Sequence, residues 1–308
     1  MTSDRIQLLQ EEIIRLKREK NAILLVHNYQ RPEIQEIADF RGDSLELARK
    51  AVRVVDAELI IFCGVKFMAE TAAILNPKKK ILLPNMEARC PLAAQLPAKC
   101  VLEYKTKNPE IPFVVCVNTR AETKAAADIT CTSANAAEVV RSLGSAKVAF
   151  GPDVNLASYV ARKLPYIEIK PVPSDGYCYV HKMFDPSIVI FREKYPGCFI
   201  MAHPECDPAV QDVVDYVGST SQMIKQAHEI DAETIVIATE IDLINKLQVE
   251  LPTKKILPAL DSAICHQMKK ITLENVRDTL TEEKNQVTIP REMAARARHT
   301  IERMLKIS

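Results

Sequence analysis

Three cysteines recur at matching places along the chain and could together hold one metal centre. Cys90, Cys178 and Cys265 each follow a short apolar run that ends in proline or a turn. Each also follows, at nearly the same interval, a repeated signature, which reads Ala-Asp-Phe-Arg-Gly-Asp-Ser at 38–44, Ala-Asp-Ile-Thr-Cys-Thr-Ser at 127–133 and Val-Asp-Tyr-Val-Gly-Ser-Thr at 214–220. Three thiolates on one centre leave a coordination position open. An iron–sulfur cluster is the commoner use of such converging cysteines, and zinc is also compatible with them.

The other cysteines do not share this pattern. Cys63 and Cys198 lie in apolar stretches and are expected in the core. Cys100 lacks signature neighbours, and Cys131 is expected to pack at a helix cap beside Ser133. Cys206 follows a histidine and a glutamate, and it has no counterpart in the other copies of the repeat. The sequence contains no Cys-x-x-Cys pair, which argues against a zinc ribbon or a thioredoxin-like redox motif.

Polar side chains follow the predicted strands at what we interpret as equivalent positions of the three copies. The segments are His-Asn-Tyr-Gln at 27–30, Asn118, and His-Pro-Glu-Cys at 203–206. A single histidine at the end of a strand is as easily a core residue as a functional one. Two histidines in equivalent places, close to Tyr29 and Glu205, favour a catalytic cleft.

A hydroxyl residue ends each copy of the signature. Ser44, Ser133 and Thr220 each precede a predicted helix, so the simplest interpretation is that they cap it. The same position lets a hydroxyl and the helix N–H groups bind an anion. Three such positions around one axis predict a small substrate that carries several carboxylates or phosphates.

The apolar pattern predicts the elements that must position these residues. One set of strands is expected at 22–26, 113–117 and 198–202, and a second set at 59–63, 147–150 and 234–238. Amphipathic helices are expected at 44–54, 135–143 and 221–230. Continuous apolar strands that alternate with such helices indicate parallel sheets covered by helices, whose strand ends carry ligands.

We therefore predict an α/β fold of three homologous domains with small parallel sheets, arranged around a pseudo-threefold axis. The predicted domains are 1–105, 106–190 and 191–270. A charged helical tail at 271–308 is expected to pack on the first domain.

Composition excludes several classes of function. The formal net charge of the 308-residue chain is +1, without a basic face, so nucleic acid is not an expected partner. No apolar run is long enough for a membrane span. Residues 4–20 read as a charged amphipathic helix rather than a signal peptide, so we expect a cytoplasmic protein with reduced cysteines.

Several strings of this sequence resemble quinolinate synthase, an iron–sulfur enzyme of NAD biosynthesis. The resemblance covers nearly the whole chain. Its strings include His-Asn-Tyr-Gln-x-Pro-Glu at 27–33, Phe-Met-Ala-Glu at 67–70, Cys-Thr-Ser-Ala-Asn-Ala at 131–136, Gly-x-Cys-x-Val-His at 176–181 and His-Pro-Glu-Cys at 203–206.

The resemblance implies a condensing and dehydrating enzyme of transferase or lyase type. Iminosuccinate and dihydroxyacetone phosphate would combine to give quinolinate with loss of phosphate and two waters. Small molecules would thus be the partners, and an L-aspartate oxidase or dehydrogenase would supply the iminosuccinate. By the same resemblance, Cys90, Cys178 and Cys265 would bind a [4Fe-4S] cluster with one iron open to act as a Lewis acid.

The resemblance also assigns roles to the polar residues. Tyr29, His203 and Glu205 would transfer protons, and His181 would face the cluster or the substrate. The positions expected to bind substrate are His27, Ser44, Cys116, Val117, Asn118, Ser133, His181, His203, Pro204, Glu205 and Thr220.

Two positions depart from the family pattern. Cys116 stands where the family has a tyrosine, and a thiol is shorter and donates hydrogen bonds weakly. Tyr177 stands where the family has a histidine, next to a proposed ligand. Neither change threatens the three-cysteine set, but the first predicts altered activity.

Alternative functions remain compatible with the three cysteines. Isoprenoid-pathway diphosphate reductases and diphthamide-forming radical enzymes also place three such cysteines on a cluster, but the diphosphate-lined pocket or the nucleoside site that they need is not evident in this sequence. A non-enzymatic iron or redox sensor would keep the cysteines without needing His27, Tyr29, His203 and Glu205.

Overall fold

The computed structural model describes residues 3–54 and 57–307. The outer limits predicted for the first domain and the tail, residues 1 and 308, lie outside the described residues. The strands are β1 (Ala22–His27), β2 (Phe40–Gly42), β3 (Leu59–Cys63), β4 (Lys80–Leu82), β5 (Phe113–Cys116), β6 (Ile129–Cys131), β7 (Lys147–Gly151), β8 (Glu168–Pro171), β9 (Phe199–Ala202), β10 (Tyr216–Val217), β11 (Thr234–Ala238) and β12 (Lys255–Pro258).

The helices alternate with these strands, as the apolar pattern predicted. They are α1 (Ser3–Glu19), α2 (Pro32–Gln35), α3 (Ser44–Arg53), α4 (Lys66–Leu75), α5 (Pro91–Ala94), α6 (Ala98–Lys107), α7 (Ala121–Ala126), α8 (Ala136–Arg141), α9 (Val154–Lys163), α10 (Ile190–Lys194), α11 (Pro208–Gln211), α12 (Thr220–Glu229), α13 (Ile241–Glu250), α14 (Leu273–Glu282) and α15 (Arg291–Ile307). Short 3-10 turns lie at His181–Met183, Pro186–Val189 and Met268–Lys270.

Three four-stranded parallel sheets are built with the same strand order. The orders are β2-β1-β3-β4, β6-β5-β7-β8 and β10-β9-β11-β12. Every residue of β3 is buried, and so is every residue of β9 and β11 except the first. This burial is typical of parallel sheets that helices cover on both faces. The predicted α/β class with three small parallel sheets is therefore confirmed. The domain boundaries and the pseudo-threefold axis stay predictions.

A partly exposed aspartate makes the same main-chain contact in each of the three sheets. The carboxylate of Asp39 accepts a hydrogen bond from the main-chain N of Leu24 at 2.7 Å, and the N of Asp39 donates back to the Leu24 carbonyl at 3.1 Å. Asp128 makes this pair of bonds with Phe113, and Asp215 makes it with Ile200. Leu24, Phe113 and Ile200 are therefore structural counterparts.

This register corrects one expectation about the strand ends. Counted from the counterpart residues, Cys116 is the second-copy equivalent of His27 and His203. Asn118 instead matches Tyr29 and Glu205. The assignment of Asn118 as the partner of the two histidines was wrong by two residues, because the apolar run of β5 continues two residues beyond Val115, the counterpart of Val26 and Ala202.

The C-terminal residues contact two of the sheets. Helix α14 packs against α1 and β3, beside the first sheet, whereas α15 packs against α7 and β6, beside the second, and also touches α4. Between them, Gln286 pairs antiparallel with Leu82 at the edge of β4. Across the described residues, no helix is long and apolar enough to cross a membrane.

Candidate active site and metal centre

One cavity of about 780 Å³, its open mouth included, lies at the carboxyl ends of the strands of all three sheets. Its wall contains nearly every residue that the sequence analysis singled out. These are His27, Tyr29, Ser44, Cys90, Cys116, Val117, Asn118, Ser133, Cys178, His181, His203, Glu205, Thr220 and Cys265. Pro204 is the exception, since its carbonyl turns away to accept from Gln211 Nε2 at 2.9 Å.

The three repeated cysteines reach this cavity from equivalent loops. Cys90 precedes α5, and Cys178 and Cys265 each precede a 3-10 turn. All three are partly buried and none forms a disulfide. Burial raises the pKa of Cys90 to about 12 and also raises the pKa of Cys178 and Cys265. Burial favours the neutral form of a thiol that has no positive partner, so a bound cation would be needed to hold these three as thiolates.

Side chains at the ends of two strands fix two of these cysteine loops. Asp153 Oδ2 accepts from the main-chain N of Cys178 at 3.0 Å, and Glu240 Oε1 accepts from that of Cys265 at 3.1 Å. The matching position in the first copy is Val65, which cannot accept a hydrogen bond. The loop of Cys90 keeps only the main-chain bond that all three loops share, in which Ala88 O accepts from Lys66 N at 2.8 Å.

A hydrogen-bonded chain of side chains runs along the cavity beside Cys178. His181 Nδ1 lies 3.1 Å from Glu205 Oε2, and Asn118 Nδ2 donates to the other carboxylate oxygen at 3.0 Å. His181 Nε2 lies 3.0 Å from the Thr239 hydroxyl, which is 2.6 Å from the Tyr29 hydroxyl. Because an ionised carboxylate only accepts, the His181 proton sits on Nδ1 and its Nε2 is free to accept. This arrangement can relay a proton between Tyr29 and Glu205.

His27 and His203 are held in one tautomer by their own loops. His27 Nδ1 accepts from the main-chain N of Tyr29 at 3.1 Å, and His203 Nδ1 accepts from that of Glu205 at 3.2 Å. Burial, aided by Lys269, lowers the pKa of His27 to about 3, and burial lowers that of His203 as well. Both rings are therefore neutral near pH 7 and carry their proton on Nε2, where it can be donated to a ligand oxygen.

The three hydroxyl residues are not helix caps, which corrects the simplest expectation for them. Asp43 caps α3 through the N–H groups of Leu45 and Glu46, and Ser219 caps α12. Ser44 and Thr220 are the first residues inside those helices, while α8 begins only at Ala136, beyond Ser133. Their hydroxyls are thus available to the cavity, where Thr220 Oγ1 accepts from Asn28 Nδ2 at 3.0 Å.

Two residues that the sequence analysis did not single out lie at the site, Thr239 behind the cavity wall and Tyr179 in it. Thr239 links His181 to Tyr29, and Tyr179 lies beside Cys265, where its hydroxyl accepts from His266 N at 2.8 Å. Thr239 follows β11 directly, so the strand-end rule could have found it. Tyr177, the second departure from the family pattern, is 43% exposed and does not line the cavity.

A second set of donor atoms overlaps the first. The ligand atoms of Cys178, His181 and Glu205 all lie within 4.8 Å of one another, which is close enough to hold a metal ion. His181 and Glu205 are already engaged by Thr239 and Asn118. The cavity therefore offers either three thiols or one thiol with an imidazole and a carboxylate.

Nearly the whole chain is similar to one family of known proteins. The family model described as Quinolinate synthetase A protein matches residues 11–306. The quinolinate synthase of Methanothermobacter thermautotrophicus is 51% identical over 301 residues, which is 97% of this chain and 98% of that protein. The quinolinate synthase of Pyrococcus furiosus is 50% identical over 306 residues, covering 99% of this chain and all of its own length (100%).

Proposed function

The chain belongs to the quinolinate synthetase A family, and we propose that it condenses iminosuccinate with dihydroxyacetone phosphate to form quinolinate, phosphate and two waters. One observation carries this proposal. A single cavity gathers three unpaired thiols, two neutral histidines and a His181–Glu205 pair, in a chain about half identical to quinolinate synthases over its length.

The cofactor that we propose is a [4Fe-4S] cluster held by Cys90, Cys178 and Cys265. The residues fit this group, since three soft sulfur donors without disulfide partners line the same cavity. Such a cluster keeps one iron without a protein ligand, and that iron supplies Lewis-acid assistance to the loss of a hydroxyl as water.

The protein side chains bind and orient the substrates around that position. The Nε2–H groups of neutral His27 and His203 donate to carboxylate oxygens of iminosuccinate without a counter-charge. Hydroxyls of Ser44, Ser133 and Thr220 add donors from the cavity wall, and the Asn118 amide, held by Glu205, fixes the same end of the cavity. Neutral donors suit a doubly charged ligand that must later leave as a different anion.

Proton transfer is assigned to the chain of side chains between Tyr29 and Glu205. The accepting Nε2 of His181 takes a proton relayed through the hydroxyl of Thr239 or Tyr29, and its Nδ1 proton moves toward Glu205. Tautomerisation and the two dehydrations each require a proton to leave carbon or reach oxygen. His203 lies against His181, so the donor to the substrate and the relay share one wall.

Assay of the protein itself tests this proposal. Anaerobically purified protein with a reconstituted cluster is incubated with iminosuccinate and dihydroxyacetone phosphate, and quinolinate is quantified by chromatography. Formation of quinolinate that stops when either substrate is omitted supports the proposal. An intact cluster without quinolinate would favour the redox-sensor alternative. The supply of iminosuccinate by an aspartate oxidase or dehydrogenase, and the cytoplasmic location, stay predictions.

A further inference from the structure

The loop that follows the first strand of each sheet is held by one buried side chain bound to two carbonyls. Gln35 Nε2 donates to Asn28 O at 3.2 Å and to Gln30 O at 2.7 Å. Gln211 Nε2 donates to Pro204 O at 2.9 Å and to Cys206 O at 2.6 Å. In the second copy the same two contacts, to Val117 O at 2.8 Å and to Thr119 O, are made by the ammonium of Lys124.

A lysine at this place is unusual because it is completely buried. Lys124 is 0% exposed, and its Nζ lies 5.3 Å from the centre of the Phe67 ring, which lines the cavity. The charge of Glu70, whose Oε2 accepts from the main-chain N of Ala121 at 2.9 Å, favours the charged form of Lys124. Burial lowers the pKa of Lys124 to about 8, so the charged form still prevails at neutral pH.

The main-chain N–H of Asn118 is the group that this arrangement leaves available. In the other copies the matching N–H groups, those of Tyr29 and Glu205, donate to the ring nitrogens of His27 and His203. Cys116 has no such nitrogen. Among the described residues, the N–H of Asn118 makes no hydrogen bond.

The direction of that N–H follows from the geometry of the peptide. In a trans peptide the carbonyl and the N–H point to opposite sides. Because the Val117 carbonyl faces Lys124, the N–H of Asn118 faces away from it, toward the side on which the histidine rings stand in the other copies. Both of those rings line the cavity, and so do Val117 and Asn118.

We propose that Lys124 is a positioning residue, which holds the Val117–Asn118 peptide so that its N–H donates to a carboxylate of the bound substrate. The ammonium on the carbonyl polarises the same peptide and makes its N–H a stronger donor, as charge assistance does elsewhere. The inference rests on the proposed function only in taking the ligand to be a dicarboxylate.

Two substitutions of Lys124 separate its effect on the position of the peptide from the effect of its positive charge. Lys124→Gln places in the second copy the side chain that already makes both contacts in the other two, so it retains the loop and removes the charge. Lys124→Met removes both. Lys147→Met, at an exposed lysine of the same sheet that pairs with Glu168, is the matched control.

Binding is measured by calorimetry with succinate as the dicarboxylate probe and glycerol 3-phosphate as an anion without a carboxylate. We expect Lys124→Gln to weaken succinate binding about fivefold, because the N–H of Asn118 still donates but loses the charge assistance that roughly doubles the strength of a hydrogen bond. The melting temperature and the cluster absorbance should not change. Glycerol 3-phosphate should bind equally to both proteins. The Lys147→Met control should match the wild type.

Succinate binding by Lys124→Gln at wild-type affinity would overturn the charge assistance that the inference includes, and an equal loss for both probes would overturn the specific bond to a carboxylate. Lys124→Met is expected to lose at least as much affinity together with thermal stability. If it fails to fold, the glutamine variant still decides. Because binding is read without turnover, a wild type that binds succinate but makes no quinolinate would contradict the proposed function alone.

Discussion

The imidazole of His181 lies flat against that of His203, with ring centroids 4.2 Å apart and planes inclined by 9°. Glu205 joins them from the side, since its carboxylate lies 3.1 Å from His181 Nδ1 and its main-chain N donates to His203 Nδ1. Two charged rings could not stack so closely in a buried site, and burial does lower the pKa of His203. The pair thus separates a proton relay, at His181, from a neutral hydrogen-bond donor, at His203.

Thr239 should prove essential to proton transfer. Its hydroxyl contacts both His181 Nε2 and the Tyr29 hydroxyl, so Thr239→Val removes the short route of the relay and leaves only the direct contact of 3.4 Å between the Tyr29 hydroxyl and His181 Nε2. We expect kcat to fall by about 100-fold, the lower end of what general acid–base groups contribute. Thr239→Ser keeps the hydroxyl and should restore most of the activity. A valine variant as active as the serine variant would remove Thr239 from the mechanism.

The three-cysteine assignment predicts a spectroscopic loss. Changing Cys90, Cys178 or Cys265 to serine should abolish the visible absorbance of the reconstituted cluster, because each residue supplies one sulfur ligand. In the absence of a metal, burial keeps the Cys90 thiol protonated. Cys100→Ser, at an exposed cysteine away from the cavity, is the control. If His181→Ala instead removed the absorbance and Cys90→Ser did not, the alternative donor set of Cys178, His181 and Glu205 would be favoured.

Two adjacent residues at the start of α12, Ser219 and Thr220, should differ in their effect on substrate binding. Ser219 is the helix cap, so Ser219→Ala should reduce the free energy of unfolding by about 1 kcal/mol. Thr220→Val should weaken substrate binding ten- to hundredfold, or about 1.5–3 kcal/mol for one lost bond to a charged group, while loss of the bond from Asn28 should reduce the free energy of unfolding by no more than about 1 kcal/mol. Urea unfolding and steady-state kinetics measure the two effects. A large stability loss for Thr220→Val would show that its role is structural.

Acid should destabilise the protein through His27. Its folded-state pKa of about 3 lies below the unfolded value of 6.5, so the unfolded chain binds the extra proton between those limits. The stabilisation is complete above pH 6.5 and is lost as the pH falls toward 3, at up to about 1.4 kcal/mol per pH unit.

Urea unfolding from pH 7 to pH 4 under nitrogen tests this dependence. His27→Gln should have a shallower loss of stability with falling pH than the wild type, while substitution of the exposed His299 should not change the slope. Parallel curves for His27→Gln and wild type would mean that His27 is not held neutral by the fold.

Cys116 gives the remaining prediction. Tyrosine, which the family resemblance leads us to expect there, would extend a hydroxyl from the end of β5 into the cavity, so Cys116→Tyr should raise turnover without changing the cluster absorbance. Cys116→His should instead lower affinity for dicarboxylates, because a ring nitrogen would take up the N–H of Asn118. Equal or lower turnover by the tyrosine variant would mean that the chain has compensated elsewhere.

Much of this molecule followed from the sequence by itself. Buried parallel strands need continuous apolar runs, and so β3 and β11 occur at the residues predicted for them. The repeated signature placed Cys90, Cys178 and Cys265 after equivalent strands, and residues at the carboxyl ends of parallel strands share one edge of a sheet. Local pattern and repeat thus determined the class of fold and most of the cavity wall.

Other features depended on contacts that no spacing encodes. The hydrogen bonds of Asp128 identify Cys116, and not Asn118, as the counterpart of the two histidines. Apolar runs alone leave this register uncertain by one or two residues. The hydrogen bonds of Thr239 and Lys124 join segments that are distant in the sequence or that only the fold orients. Their side chains act across tertiary contacts, and the partners that define a hydrogen bond or a buried charge are chosen by packing rather than by position in the chain.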